Sequence, residues 1–482
     1  MNPYYIGIAI VFYFGLLIII SYYTGRDSDN STFFLGNRKS PWYVVAIGMI
    51  GASLSGVTFI SVPGWVGSTG FSYMQMVLGY LLGYIFIAQV LLPLFYRLQL
   101  TSIYSYLNNR FGIQSYQTGA ILFLVSKTIG AAARLYLMAS VLQLTIFDAL
   151  HVPFMVTVIV TIGLIWLYTF RGGIRTVIWT DMVQAILMIL AVVLTVGVIL
   201  NTLNLSVLQG IELIRSSSYS HMFEFSDWSS KQHFVKQFLS GAFMTIVMTG
   251  LDQDMMQKNL TCKSLSDAKK NMYWYSIAFV PVNLIFLALG ALLYIFVDKQ
   301  GIVFSGRGDD LFPMLATGGY FPPIVGILFM LGLVAAAYSS ADSALTSLTT
   351  SFSVDLLKVE KMEPQQAVKT RRLVHIGVSI VLGLVIVLFR VLDLDTIIST
   401  IFTIAGYTYG PLLGLFAFGL FTKLRSNDSW TPYIAVGAPV LIGVMDYYFK
   451  FGFEKLIYNG IVVFLCLLLS MVSNRNKLLK TN

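Results

Sequence analysis

Ala335-Ala336-Ala337-Tyr338-Ser339-Ser340-Ala341-Asp342-Ser343-Ala344-Leu345-Thr346-Ser347 is the stretch on which the reading of this chain turns. It lies inside an apolar run over residues 321–350, and about 20 apolar residues are enough for a helix to cross the hydrocarbon of a bilayer. Its middle nevertheless carries a carboxylate and a row of hydroxyls. On a helix, Ser339, Asp342 and Ser343 stand at i, i+3 and i+4 and share one face, with Ala336 and Ser340 alongside. A carboxylate at mid-helix is costly in lipid and must face protein or water. Oxygen ligands of this kind suit a small hard cation such as sodium. The other reading, hydroxyls bonded to carbonyls one turn back on their own helix, leaves Asp342 unexplained.

The surrounding composition agrees with a membrane setting. Of the 482 residues, 57% are hydrophobic and 11% charged, where soluble domains carry about 25% charged residues. Apolar runs fall near residues 4–22, 42–63, 71–96, 118–147, 152–170, 176–200, 236–252, 273–297, 321–350, 372–391, 396–421, 431–448 and 456–473. The expectation is an all-α integral membrane protein, a single transport domain over 1–482 with about thirteen transmembrane helices. Met1 to Tyr5 has no basic residue and no small-x-small site follows Ile20, so the first span reads as retained rather than as a signal peptide.

A net charge of +9 reads as cytoplasmic loop charge, not as a nucleic-acid surface. One set of alternate loops holds Arg26, Arg38, Lys39, Arg97, Arg110, Arg171, Arg175, Lys258, Lys263, Lys269, Lys270, Lys358, Lys361, Lys369, Arg371, Arg372, Lys423, Arg425 and the tail Arg475, Lys477 and Lys480. That is about 21 cations against about 8 in the other set, which predicts the N-terminus outside and the C-terminus in the cytoplasm of a cell membrane. Residues 201–235 then form a partly helical external loop. Cys262 and Cys466 are far apart, and His151, His221, His233 and His375 are scattered, so neither a disulfide framework nor a metal cluster is expected. No zincin motif, nucleophile elbow or P-loop is present, which argues against an enzyme.

Two spans carry signs of a broken backbone, whose freed carbonyls and amides can face a cavity. The second runs Gly48, Gly51, Ala52, Ser53, Leu54, Ser55, Gly56, Val57, Thr58 to Pro63-Gly64; tight packing by small residues is the alternative. The seventh contains Ser240-Gly241 and Thr249-Gly250-Leu251-Asp252-Gln253. These two spans open two blocks of five helices, an odd number that gives the blocks opposite orientation, as an inverted repeat requires. Asp181 begins a span and reads either as a site acid or as an interfacial one. Lys127 is near enough to the cytoplasmic end to snorkel. Arg134 lies deeper, as a partner for an internal acid or for an anionic solute.

In order along residues 5–425, Leu54-Ser55-Gly56-Val57-Thr58-Phe59 with Val62-Pro63-Gly64, Arg171-Gly172-Gly173-Ile174 to Thr180-Asp181 and Gln184, Gly250-Leu251-Asp252-Gln253 with Gln257, Ala336 to Ser340, and Tyr409-Gly410-Pro411-Leu412-Leu413-Gly414-Leu415-Phe416 resemble the sodium/solute symporter family, which includes sodium–glucose, proline and sialic acid symporters. The resemblance implies a leucine-transporter-type five-plus-five inverted repeat, with 42–200 and 236–421 as the repeats, 4–22 as an extra N-terminal helix and 431–473 as two extra C-terminal helices. It implies a symporter that couples inward sodium flux to uptake of a small organic solute, working as a monomer with sodium as coupling ion and no cofactor.

The implied main sodium site is Gly51, Leu54, Ala336, Ser339 and Ser340, with glycine where the family has alanine. A second site, found in some members, maps to Asp181, Ser339, Asp342 and Ser343. Asp342 stands where a hydroxyl is expected, which leaves proton coupling open. The implied substrate positions are Ser53, Ser55, Thr58, Gln75 and Arg134. The sugar symporters' stacking tyrosine has no counterpart near Met248 or Thr249, and their substrate lysine has none between Tyr273 and Phe296. Arg134 favours a carboxylated solute, such as a sialic acid or another organic anion. The rival class is a solute sensor or a channel-like protein on the same scaffold.

Overall fold

The computed structural model describes residues 3–26, 29–143, 147–392 and 397–478. Residues 144–146 of the fourth expected span, Thr396 and Lys480 lie outside the described residues. Among the described residues every long element is a helix, and the one extended pairing is an isolated bridge between Ser40 and Cys262.

Helix α1 (Pro3–Thr24) precedes a bent pair, α2 (Trp42–Ser53) and α3 (Gly56–Thr69). Then come α4 (Tyr73–Phe86, prolonged by a π turn over Ile87–Leu91), α5 (Ile113–Leu142), α6 (Phe154–Thr169) and α7 (Ile174–Thr202). A second bent pair opens the next run: α8 (Phe234–Thr245, followed by a π turn over Ile246–Gly250) and α9 (Gln253–Leu260). After it follow α10 (Leu265–Gln300), α11 (Pro323–Ser351), α12 (Pro364–Val391) and α13 (Ile397–Phe421). The last two are α14 (Thr431–Phe449) and α15 (Lys455–Leu478). Every expected span falls on one of these helical segments. Among the described residues eight helices are long and apolar enough to cross a membrane, or ten if each bent pair counts as one span. The 201–235 segment is partly helical, with Ser206 and Gln209 forming a capping box at the start of Val207–Ser216.

The two bent pairs turn by 56° and 65°. Glycine and hydroxyl residues make each bend possible, and capping side chains make it stable. At the first, Leu54 (φ −81°, ψ 76°) leaves the helix and Ser55 is extended, its Oγ accepting from the Thr58 N–H at 3.5 Å. At the second, Asp252 is extended and its carboxylate accepts from the N–H groups of Asp254 at 2.8 Å and Met255 at 3.4 Å. These are N-cap bonds, each worth about 1 kcal/mol to the helix they start.

Close helix contacts hold the site in place. α7 packs against both α2 and α11. Gly51 permits the first of these contacts, since a Cβ there would meet Ala185 Cβ at 2.9 Å and the Asp181 carbonyl at 3.0 Å. The α4–α8 crossing is tighter still: a Cβ on Gly241 would lie 2.2 Å from the Met76 carbonyl oxygen, and one on Gly79 would lie 2.0 Å from that of Phe238. Small residues allow such backbone contact between membrane helices. Gly241→Val is therefore expected to lower the melting temperature in detergent, by an overpacking cost of about 1–3 kcal/mol or more. Gly163→Val, at a position with nothing within 4 Å of the new Cβ, is expected to melt as wild type. Equal melting of the two would show that the crossing does not need glycine.

Three cations are not where the sequence reading put them, two in the loop count and one as a snorkelling lysine. The seventh span does not end at residue 252 but continues through α9, all eight of whose residues are buried. Lys258, counted above as a loop charge, is inside the protein, and so is Arg371. Removing these two from about 21 leaves about 19 against about 8, so the asymmetry survives. Lys127 does not snorkel. It is buried among carboxylates that come from the second bent pair.

Candidate functional site

The last four carbonyls of a helix have no donor of their own. In α2 these belong to residues 51–54, because Leu54 N–H makes the final helical bond to the Ile50 carbonyl at 2.9 Å and Ser55 then turns away. Gly51 and Leu54 therefore bracket a set of polarised oxygens that accept from no backbone N–H among the described residues. Across from them runs α11. A Cβ built on Gly56 lies 3.7 Å from Ala337 Cβ, so the start of α3 rests on the small-residue face beside Ala336 and Ser340. The Ser340 hydroxyl is buried, has no hydrogen-bond partner among the described residues, and lines the central cavity. A buried, unpartnered hydroxyl on a cavity that the broken end of α2 also lines is an arrangement that invites a cation.

Ser339, one residue earlier, turns toward α7 and donates to Asp181 Oδ1 at 2.5 Å, while Ser343 Oγ lies 3.3 Å from Asp181 Oδ2. Asp342 accepts from the Tyr168 hydroxyl at 2.9 Å, the Thr180 hydroxyl at 3.3 Å and the Ser343 backbone N–H at 2.6 Å. The stripe expected from i, i+3, i+4 spacing thus faces α6 and α7, and all four residues of the expected second site meet there.

A chain of buried charges joins this point to the cavity. Lys258 Nζ is 2.8 Å from Asp181 Oδ2 and 4.0 Å from Asp254 Oδ1. Asp254 Oδ2 is 2.6 Å from Lys127 Nζ, which is also 3.3 Å from Asp252 Oδ2. Asp252 Oδ2 in turn accepts from the Tyr409 hydroxyl at 2.5 Å. Signs alternate from Asp181 to Asp252. Such pairs withstand burial only when the charges keep close partners and further hydrogen bonds; here every charge has an opposite one within 3.3 Å, and hydroxyls donate in addition to Asp181 and Asp252.

The cavity has a volume of about 170 Å³. Four of the expected substrate positions line it: Ser53, Ser55, Thr58 and Arg134. Ser53 Oγ is 2.5 Å from the Tyr275 hydroxyl, which is 2.7 Å from that of Tyr84. Half-buried Arg134 makes no ion pair among the described residues. Gln75 is the exception. It is fully buried and away from the cavity, its amide donating to the Gln232 carbonyl at 2.8 Å and accepting from the Glu224 N–H at 3.1 Å, so it pins the 201–235 segment. With both ends of its amide engaged on that segment, Gln75 is not among the residues that line the cavity.

The sequence reading missed Lys258, Asp254 and Tyr275. The signal for the first two was present as an acid and a lysine at i, i+4 immediately after a suspected break, since a charged turn there need not leave the protein. Tyr275 carried no signal apart from lying in an apolar run.

Comparison with known proteins gives a consistent picture. The Sodium:solute symporter family profile matches residues 33–429. The Sodium/sialic acid symporter NanT of Aliivibrio fischeri is 25% identical over 439 residues, 88% of this chain and 84% of that protein. SiaT of Proteus mirabilis, also named a Sodium/sialic acid symporter, is 26% identical over 453 residues, covering 88% and 86%. Among solved structures, the substrate-bound outward-open state of a Na+-coupled sialic acid symporter superposes with a TM-score of 0.83 at 21% identity, covering 96% of both chains. Mhp1, a nucleobase-cation-symport-1 family transporter, reaches 0.54 at 15% identity, covering 93% of this chain and 94% of that one. The leucine-transporter type of fold expected from the sequence is the one observed.

Proposed function

The chain belongs to the sodium:solute symporter family, and from that premise we propose how its residues divide the work of sodium-coupled uptake. It is a multi-pass membrane transporter that moves a small organic solute with sodium by alternating access. The carbonyls of Gly51, Leu54 and Ala336 and the hydroxyls of Ser339 and Ser340 hold the coupling ion. The observation that carries this reading is the buried Ser340 hydroxyl, unpartnered among the described residues, on a cavity that the broken end of α2 also lines through Ala52 and Ser53. Sodium held there ties α2 to α11 and orders the Ser53–Ser55 break, which presents Ser53, Ser55 and Thr58 to the solute. Each ligand lowers the ordering cost of the other, so their affinities rise together. Inward sodium flux adds about 2.3 kcal/mol per charge per 100 mV of membrane potential.

The solute we propose is a carboxylated one, its anionic group on Arg134, because the other cavity cation, Lys127, is already engaged by Asp252 and Asp254. The sialic acid relatives support an organic anion. We further propose a chain that works as a monomer, with 42–200 and 236–421 as its inverted repeats, the N-terminus outside and the C-terminus in the cytoplasm. The test is uptake into proteoliposomes of a panel of organic acids, sugars and amino acids, with and without a sodium gradient. Sodium-driven uptake confined to acids is expected, and Arg134→Gln is expected to raise the KM for the acid by about 10-fold or more, the loss of one charged hydrogen bond. Sodium-driven uptake of neutral solutes alone would reject the carboxylate assignment. No sodium-driven uptake at all would favour a sensor.

A further inference from the structure

Asp181, Ser339, Asp342 and Ser343 are the residues at which a second cation is expected, and a cation already stands against the first of them. Lys258 reaches from α9 to within 2.8 Å of Asp181 Oδ2. The same carboxylate accepts from Ser339 Oγ at 2.5 Å and lies 3.3 Å from Ser343 Oγ. The other acid, Asp342, has its oxygens occupied by Tyr168, Thr180 and the Ser343 N–H. Lys258 and Asp181 are both inaccessible to solvent. We propose that the Lys258 ammonium is a tethered cation filling this second ion position, so that one sodium ion, not two, binds per chain.

The physical argument is one of like charges. A sodium ion between Asp181, Ser339 and Ser343 would share a carboxylate with an ammonium a few ångströms away, in a site from which water is excluded. Repulsion between unit charges at that separation grows as the effective dielectric falls. The ammonium cannot leave easily. Its stem rises from a helix buried on every side, and that helix is fastened by Gln253 to the Ile103 N–H at 2.9 Å and by Gln257 to the Phe34 carbonyl at 2.8 Å and Thr350 Oγ1 at 2.9 Å. The other carboxylate paired with it, Asp254, is 4.0 Å away at the cavity wall. The charge that a second sodium would bring from outside is thus built into the chain, and the cycle is spared its release. The inference rests on the assignment of the first ion to Ser340 and its neighbours.

Equilibrium binding of radiolabelled sodium to the purified full-length protein tests it without knowledge of the solute. Wild type is expected to bind one sodium per chain and Ser340→Ala about none at the same concentration. Lys258→Met, which leaves Asp181 without its cation, is expected to bind two, and Lys258→Arg to bind one. Two sodium ions on wild type overturn the tethered cation and leave the Ser340 site standing, provided Ser340→Ala loses one of them. One sodium on wild type that survives Ser340→Ala overturns both assignments. No sodium on wild type rejects the sodium reading itself. If Lys258→Met does not give monodisperse protein, the wild-type and Ser340→Ala stoichiometries decide alone.

Discussion

Lys127→Met is expected to yield little folded protein, and what folds is expected to transport nothing. Lys127 lies between Asp254, at 2.6 Å, and Asp252, at 3.3 Å, and all three are buried. Removing one partner of a buried ion pair costs about 3–5 kcal/mol, because the remaining charge is left uncompensated. Here two carboxylates are left on one turn of the same bend. A loss of that size consumes much of the roughly 5–15 kcal/mol that holds a domain folded. The cause is charge rather than shape, and neutralising the acids separates the two. Lys127→Met combined with Asp252→Asn and Asp254→Asn is expected to recover monodisperse protein and most of the melting temperature, since Asn caps a helix about as well as Asp. Recovery of uptake is not expected. A single variant that melts like wild type would remove the argument that this triad holds the second bend.

The same triad shows what a sequence can and cannot disclose. Apolar runs of about 20 residues are written along the chain, and each of them became a helix. The shared face of Ser339, Asp342 and Ser343 follows from helical geometry alone and needed no tertiary knowledge. The break at Ser53–Ser55 was legible because small and hydroxyl residues replace apolar ones where a span should continue. The destination of Lys258 was written less plainly, in the i, i+4 spacing from Asp254 alone. Six residues past an apolar run, a lysine reads as a loop charge, and only the 65° turn at Asp252 brings it back inside. Lys127 was misread for the same reason, because its acids come from a segment 125 residues away. Gln75 failed differently. A glutamine in a span announces that it needs partners, but not that they are the backbone of Glu224 and Gln232.

Ser340→Ala is expected to raise the sodium concentration for half-maximal uptake by about 10- to 150-fold, the equivalent of losing one oxygen interaction with a charged group worth about 1.5–3 kcal/mol. The direction follows from the free protein. Ser340 Oγ is bonded to nothing among the described residues, so its removal breaks no contact in the sodium-free state and the whole effect falls on the bound one. Melting without sodium is expected to be no lower than that of wild type, because a buried hydroxyl with no partner only carries its desolvation penalty, whereas stabilisation by added sodium shrinks, because a ligand stabilises only as far as it is bound. Coupling carries the effect further. Weaker sodium binding leaves the α2 break less ordered, so the apparent solute affinity at fixed sodium falls and returns when sodium is raised. Ser347→Ala is the matched control. Its hydroxyl lies two turns further along α11 and donates to the Ala344 carbonyl of its own helix at 3.1 Å, the arrangement in which a mid-helix serine holds no ion, and its sodium dependence is expected to match wild type. Unchanged sodium dependence in Ser340→Ala would sink the main site, and an equal shift in both variants would mean that α11 answers to any lost hydroxyl rather than to a ligand.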